Sequence, residues 1–91
     1  MKYVISFDVT SDRKRYRVVK TLSEYAYRVQ KSVFEGLLSK ERVSECADKL
    51  SKIIDHKTDS IRIYPLCKDC EAQVRISGIG VKVEEVKYII I

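Results

Sequence analysis

Two separate stretches of the chain repeat apolar residues every three or four positions. Val18, Val19, Leu22, Tyr25 and Ala26 form the first stripe, and Val43, Cys46, Ala47, Leu50, Ile53 and Ile54 form the second. Each stripe predicts an amphipathic helix that must lay one side on a shared surface. The segments around them change period and supply that surface. Tyr3 to Val9 is a short apolar run rich in β-branched and aromatic residues, which predicts a buried strand. Thr10, Ser11 and Asp12 are helix-capping types and open a first helix of about Asp12 to Tyr25, while Ser39 is placed to cap the second, which fades around Asp55 to Thr58.

Tyr27 to Leu38 alternates. Tyr27, Val29, Val33 and Leu37 fall on one side, and Arg28, Gln30, Ser32 and Phe34 on the other. Lys31 and Glu35 interrupt the apolar side, so a bulge or a break is expected there. Ser60 to Leu66 predicts another strand, with Pro65 marking its end or an edge. Cys67 to Cys70 predicts a turn, Gln73 to Ser77 a short strand closed by Gly78 and Gly80, and Glu84 to Ile91 a terminal strand. The expected order is β-α-β-α-β-β-β in a single domain over residues 1–91. The fold class is α+β, with two helices on one face of a mostly antiparallel sheet. The other face would carry Ser6, Asp8, Arg28, Ser32, Phe34 and Tyr64, a partly polar set that a second subunit or a ligand could cover. Ile89, Ile90 and Ile91 ask for burial on both sides; a partner's sheet edge would supply it, as would an ordinary edge position within one chain.

At 91 residues with 45% apolar content, one core is feasible but thin, and oligomerisation would help. The 18 Lys and Arg against 13 Asp and Glu leave a net charge of +5, which suits a polyanionic partner and also suits ordinary solubility. Three cysteines cannot all pair internally, which argues against a secreted disulfide framework. No signal-like run and nothing near a membrane span is visible, so a cytoplasmic location without membrane contact is expected.

Chemistry concentrates in two segments. In Phe7-Asp8-Val9-Thr10-Ser11-Asp12-Arg13-Lys14-Arg15-Tyr16-Arg17, one acid ends the first strand, a second lies at the helix start, and four cations follow. Cations there oppose the helix dipole, so an anion at that end would be stabilising: Asp8, Asp12 or a phosphate. The same stretch could be a solvated basic face. Asp8 could be a turn residue, or an oxygen ligand for Mg²⁺ or Mn²⁺. One carboxylate is a poor site, whereas two copies of Asp8 across a dimer axis would make a better one. The second segment runs Arg28-Val29-Gln30-Lys31-Ser32-Val33-Phe34-Glu35-Gly36. It offers a cation, hydrogen-bonding groups and an aromatic, a mixture that suits a phosphate with a stacked base or a polar dimer interface. Cys67-Lys68-Asp69-Cys70 is one ligand pair where structural zinc wants two. Cys46 belongs to a helix stripe, and His56 lies in a polar helix exit with no triad around it.

These two segments, together with Ile61-Arg62-Ile63-Tyr64-Pro65-Leu66 followed by Cys67, resemble the CRISPR-associated Cas-two family over nearly the whole chain. Phe7 stands where tyrosine is usual, and Ala26 where a glycine often precedes the second motif. The resemblance implies a ferredoxin-like domain and a homodimer that exchanges C-terminal strands, residues 80–91 here. It also implies a role in acquiring CRISPR spacers beside the Cas-one integrase. Asp8 would be the metal-binding aspartate, Arg15 and Arg17 would serve nucleic-acid contact or activity, and Arg28 and Phe34 would be site positions in the second motif. Two functions of different class follow: a metal-dependent endonuclease on RNA or double-stranded DNA, or a non-catalytic adaptor that bridges the integrase and holds DNA. A third is an RNA-binding or small-ligand module on the same fold.

Overall fold

The computed structural model describes residues 1–73, so the strands expected from residue 74 onward, including the exchange strand at 80–91, lie outside the described residues. The elements are β1 (Lys2–Asp8), α1 (Asp12–Leu22), β2 (Tyr27–Gln30), β3 (Val33–Leu37), α2 (Lys40–Ile53), β4 (Ser60–Leu66) and α3 (Lys68–Ala72). The four strands form an antiparallel sheet in the order β2-β3-β1-β4. β1 and β2 run parallel with β3 between them, the split βαβ arrangement of the ferredoxin-like fold.

Both helices start where the capping residues predict. Ser11 Oγ accepts from the Lys14 amide at 3.3 Å, and Ser39 Oγ accepts from the Arg42 amide at 3.2 Å. The helix stripes and one sheet face then close a single core. Val18, Leu22, Cys46, Leu50 and Ile53 from the helices meet Tyr3, Ile5, Phe7 and Phe34 from the sheet. The first helix is shorter than expected. It stops at Leu22, whose carbonyl takes the amides of both Tyr25 and Ala26, and this turn carries Tyr25 into the core. Arg42 stacks its guanidinium over the Tyr25 ring, 4.3 Å from the centroid.

The alternating run from Tyr27 to Leu38 is not one strand. It breaks at Lys31 and Ser32 into the hairpin β2-β3, with an irregularity in the pairing between Arg28 and Gln30. Arg28 closes the turn: its Nε and Nη2 donate to the Lys31 carbonyl at 3.0 and 2.6 Å. This corrects the expected facing of two residues. Phe34 is opposite Ile5 and fully buried under the helices, its ring tilted against Phe7 at a centroid distance of 6.2 Å. Arg28 is opposite Phe34 and shares its side of the sheet. Glu35, by contrast, turns to the far face, where Lys2 Nζ approaches its carboxylate at 3.8 Å. The expected turn at Cys67 to Cys70 is the start of the short helix α3.

Candidate nucleic-acid and metal site

The sheet face away from the helices is set by β1. Because successive side chains alternate, Val4, Ser6 and Asp8 share the side opposite to Tyr3, Ile5 and Phe7. In register beside them stand Val33, Glu35 and Leu37 of β3, and Ser60, Arg62, Tyr64 and Leu66 of β4. Asp8 is exposed at the carboxyl end of this central strand, opposite Ser60. Tyr64 is 47% exposed on the same face, and Arg62, opposite Ser6, is also exposed. Ser6, Asp8 and Tyr64 therefore lie together as the sequence predicts, while Arg28 and Phe34 do not join them.

The loop between Asp8 and α1 is tightly held. Arg15 reaches back from the first turn of α1; its Nη1 donates to the Val9 carbonyl at 3.0 Å, and its Nη2 pairs with Asp12. The cation at the wrong end of the helix dipole is thus balanced by the Asp12 carboxylate and a main-chain oxygen. One step along, the Asp59 carboxylate accepts from the Thr10 amide at 3.1 Å and the Thr10 hydroxyl at 3.2 Å. Its second oxygen accepts from the Asp55 amide at 2.9 Å. These donors hold the Asp59 carboxyl below the usual carboxylate range, the Asp55 amide most of all and the Thr10 amide next. Arg17 is exposed on the outer side of α1 with Arg13, Tyr16 and Lys20; its side chain has no hydrogen bond or ion pair with another described residue.

Among the described residues no group of three or more His, Cys, Asp and Glu side chains converges. The described residues of one chain therefore offer no ready-made metal cage. A single exposed strand-end carboxylate does fit the sparse protein contribution that Mg²⁺ takes, one or two carboxylates with waters and phosphate oxygens filling the rest. His56 is engaged structurally: its Nε2 donates to the Ser51 carbonyl at 2.8 Å, near the end of α2. Burial pushes the Cys46 thiol up to about 11, as expected of a core cysteine. Sequence reasoning missed Arg62 and Asp59. Arg62 was legible, because it alternates in phase with Tyr64. Asp59 sits in a polar stretch with no periodicity to single it out.

Topology and site together define a ferredoxin-like α+β domain that presents a strand-end carboxylate beside a basic helix. The sequence profile of the family described as CRISPR associated protein Cas2 matches residues 1–74. The chain is 43% identical over 84 residues to the CRISPR-associated endoribonuclease Cas2 4 of Rhodospirillum rubrum, covering 92% of this chain and 66% of that protein. Its fold matches the crystal structure of Streptococcus pyogenes Cas2 with a TM-score of 0.76 and 34% identity, over 86% of this chain and all of that one, 100%. It also matches a chain of a partial Cas6-RT-Cas1–Cas2 complex with a TM-score of 0.75 and 30% identity, covering 99% and 97% of the two chains. The chain belongs to the Cas2 family. No helix among the described residues is long and apolar enough to cross a membrane.

Proposed function

We propose that this protein acts in CRISPR spacer acquisition as a homodimer that binds nucleic acid beside a Cas1 integrase, and that it hydrolyses phosphodiester bonds at a site built on Asp8. The observation that carries the reading is the position of Asp8, exposed at the carboxyl end of the central strand on the sheet face away from the helices. A second copy packed on that face would bring up a second Asp8. Two carboxylates facing each other would favour a divalent cation, Mg²⁺ or Mn²⁺, over leaving both charges unpaired. When bound, such an ion lowers the pKa of its water and polarises the phosphate. The chain's own residues hold and orient the substrate: Arg17 and its neighbours on α1 would bind backbone phosphates, and Arg62 would offset charge on the far face beside Asp8. The endoribonuclease name of the Rhodospirillum relative supports the reaction class, and the Cas1-containing complex supports the partner.

The adaptor reading draws on a different observation. Arg15 and Arg28 spend their guanidinium groups on the main-chain carbonyls of Val9 and Lys31, so less of the cationic set is available for transition-state charge. A cleavage assay on purified dimer separates the two, with Mg²⁺ or Mn²⁺, labelled single-stranded RNA and duplex DNA, and wild type beside Asp8→Asn. Cleavage that disappears in a folded, dimeric Asp8→Asn protein is the expected result. Duplex binding without cleavage under every metal would overturn the nuclease and leave the adaptor.

A further inference from the structure

We infer that Asp59 is a positioning residue that fixes the direction in which Asp8 is presented. The inference rests on the reading of Asp8 as the metal-binding carboxylate, and it adds a residue from the α2–β4 loop. The chain leaves β1 at Asp8 and must turn within Val9, Thr10 and Ser11 to enter α1. Among the described residues three anchors hold that turn: Val9 is held through its carbonyl by Arg15, Ser11 is held by the helix cap, and Thr10 is held by Asp59. Only the Asp59 anchor comes from a distant segment, 49 residues along the chain.

Asp59 is itself braced. Its Oδ2 takes the Asp55 amide, its backbone amide donates to the Asp55 carbonyl at 2.8 Å, and the Thr58 hydroxyl donates to Oδ1 at 3.1 Å. Asp55 Oδ1 in turn takes the Lys57 amide at 2.9 Å. The α2–β4 loop is thus a self-bonded block, with the Asp59 carboxylate as its outward face. The residue after Asp59 is Ser60, which pairs with Asp8 at the end of the β1–β4 ladder. The loop therefore grips the β1–α1 turn from two sides of Asp8: by the ladder at residue 8, and by the carboxylate at residue 10. A charged acceptor for two donors of one residue is a stronger tie than a neutral one. A site that offers one carboxylate per chain depends on that carboxylate's direction, as metal ligands generally depend on the groups that orient them.

The test uses the full-length, isotope-labelled dimer, with Asp59→Ala, Thr10→Val and Asp8→Asn beside wild type. Three signals are read: amide exchange at Thr10, the metal-free carboxyl carbon resonance of Asp8, and Mn²⁺-induced broadening at Asp8. In folded Asp59→Ala the Thr10 amide is expected to exchange about tenfold faster, the loss of a charge-assisted hydrogen bond. The Asp8 resonance shifts without metal, and Mn²⁺ binding at Asp8 weakens about tenfold. Thr10→Val removes one of the two donors and gives a smaller change in the same direction, so the inference stays testable if Asp59→Ala does not fold. Unchanged Thr10 exchange would overturn the clamp. Faster exchange with an unmoved Asp8 resonance would overturn the positioning role and leave a loop staple. If wild type shows no Mn²⁺ broadening at Asp8 while the metal-free Asp8 resonance still shifts in Asp59→Ala, the metal reading fails and the positioning of Asp8 stands.

Discussion

Substitution of Gly36 by alanine is expected to open the edge of the sheet. A Cβ built on Gly36 would lie 2.9 Å from Ala26 Cβ, 3.1 Å from Ala26 Cα and 3.1 Å from the Tyr25 carbonyl oxygen. Non-bonded carbon atoms rest at about 3.5–4.0 Å, so the two contacts to Ala26 carbons are too close by several tenths of an ångström, and the contact to the carbonyl oxygen is tight as well. Two of the three atoms belong to the backbone and cannot rotate away. The need at Gly36 is for space, since Tyr25 and Ala26 are pulled against the sheet by the Leu22 carbonyl. Relief requires the helix exit to lift or β3 to shift, and overpacking of this kind costs about 1–3 kcal/mol. In a domain of this size, about 2 kcal/mol lowers Tm by about 8–16 °C. The assay is urea and thermal unfolding followed by circular dichroism at fixed protein concentration, because dimerisation would make the midpoint concentration-dependent. Ala26→Gly removes the nearest methyl. The double variant should therefore recover part of the loss, with a coupling energy of about 1 kcal/mol in the cycle. A Gly36→Ala protein as stable as wild type, or a cycle that is strictly additive, would refute the reasoning.

Phe34→Ala should cost about 3–5 kcal/mol as a core truncation, whereas Phe34→Leu should fold and bind nucleic acid nearly as wild type; selective loss of binding in folded Phe34→Leu would instead show that the ring is used for stacking. Under native conditions site-resolved alkylation should spare Cys46, whose thiol is held at about 11 by burial, and should modify the exposed Cys67. Asp59 has a folded-state pKa below its ordinary 3.8, so the stability it contributes is present above that value and is lost as pH falls through the lower folded-state pKa. Acid unfolding of Asp59→Asn below about pH 4 should accordingly be shallower than that of wild type, measured as unfolding midpoint against pH. Loss of the Arg28 contacts in Arg28→Met should destabilise the hairpin by about 0.5–1.5 kcal/mol in the same unfolding assay.

Much of the fold was legible because its signals are local. The stripes at Val18–Leu22 and Val43–Ile54, the caps at Ser11 and Ser39, and the alternation in β1 each depend on neighbours a few residues away. For the same reason Asp8 could be placed at a strand end on the sheet face away from the helices. Arg15 could be placed in the first helical turn with Asp12 among the anions that would balance it, but its second target, the Val9 carbonyl, could not be foreseen.

The sequence alone determined the types of β1, α1, α2 and β4, the buried stripes and the position of Asp8, because hydrophobic periodicity and capping chemistry act within one or two turns of chain. Tertiary structure decided which way the second motif faces. Arg28 and Phe34 keep the common side that the alternation gives them, but the β1–β3 register sets Phe34 opposite the buried Ile5, and a one-residue shift would have turned that side the other way. That is why Phe34 lies under the helices, while Arg28 closes the turn at Lys31. Tertiary structure also decided the tie between Asp59 and Thr10, because a hydrogen bond across 49 residues leaves no periodic trace in sequence; it exists only once β4 has paired with β1 and brought the two loops together.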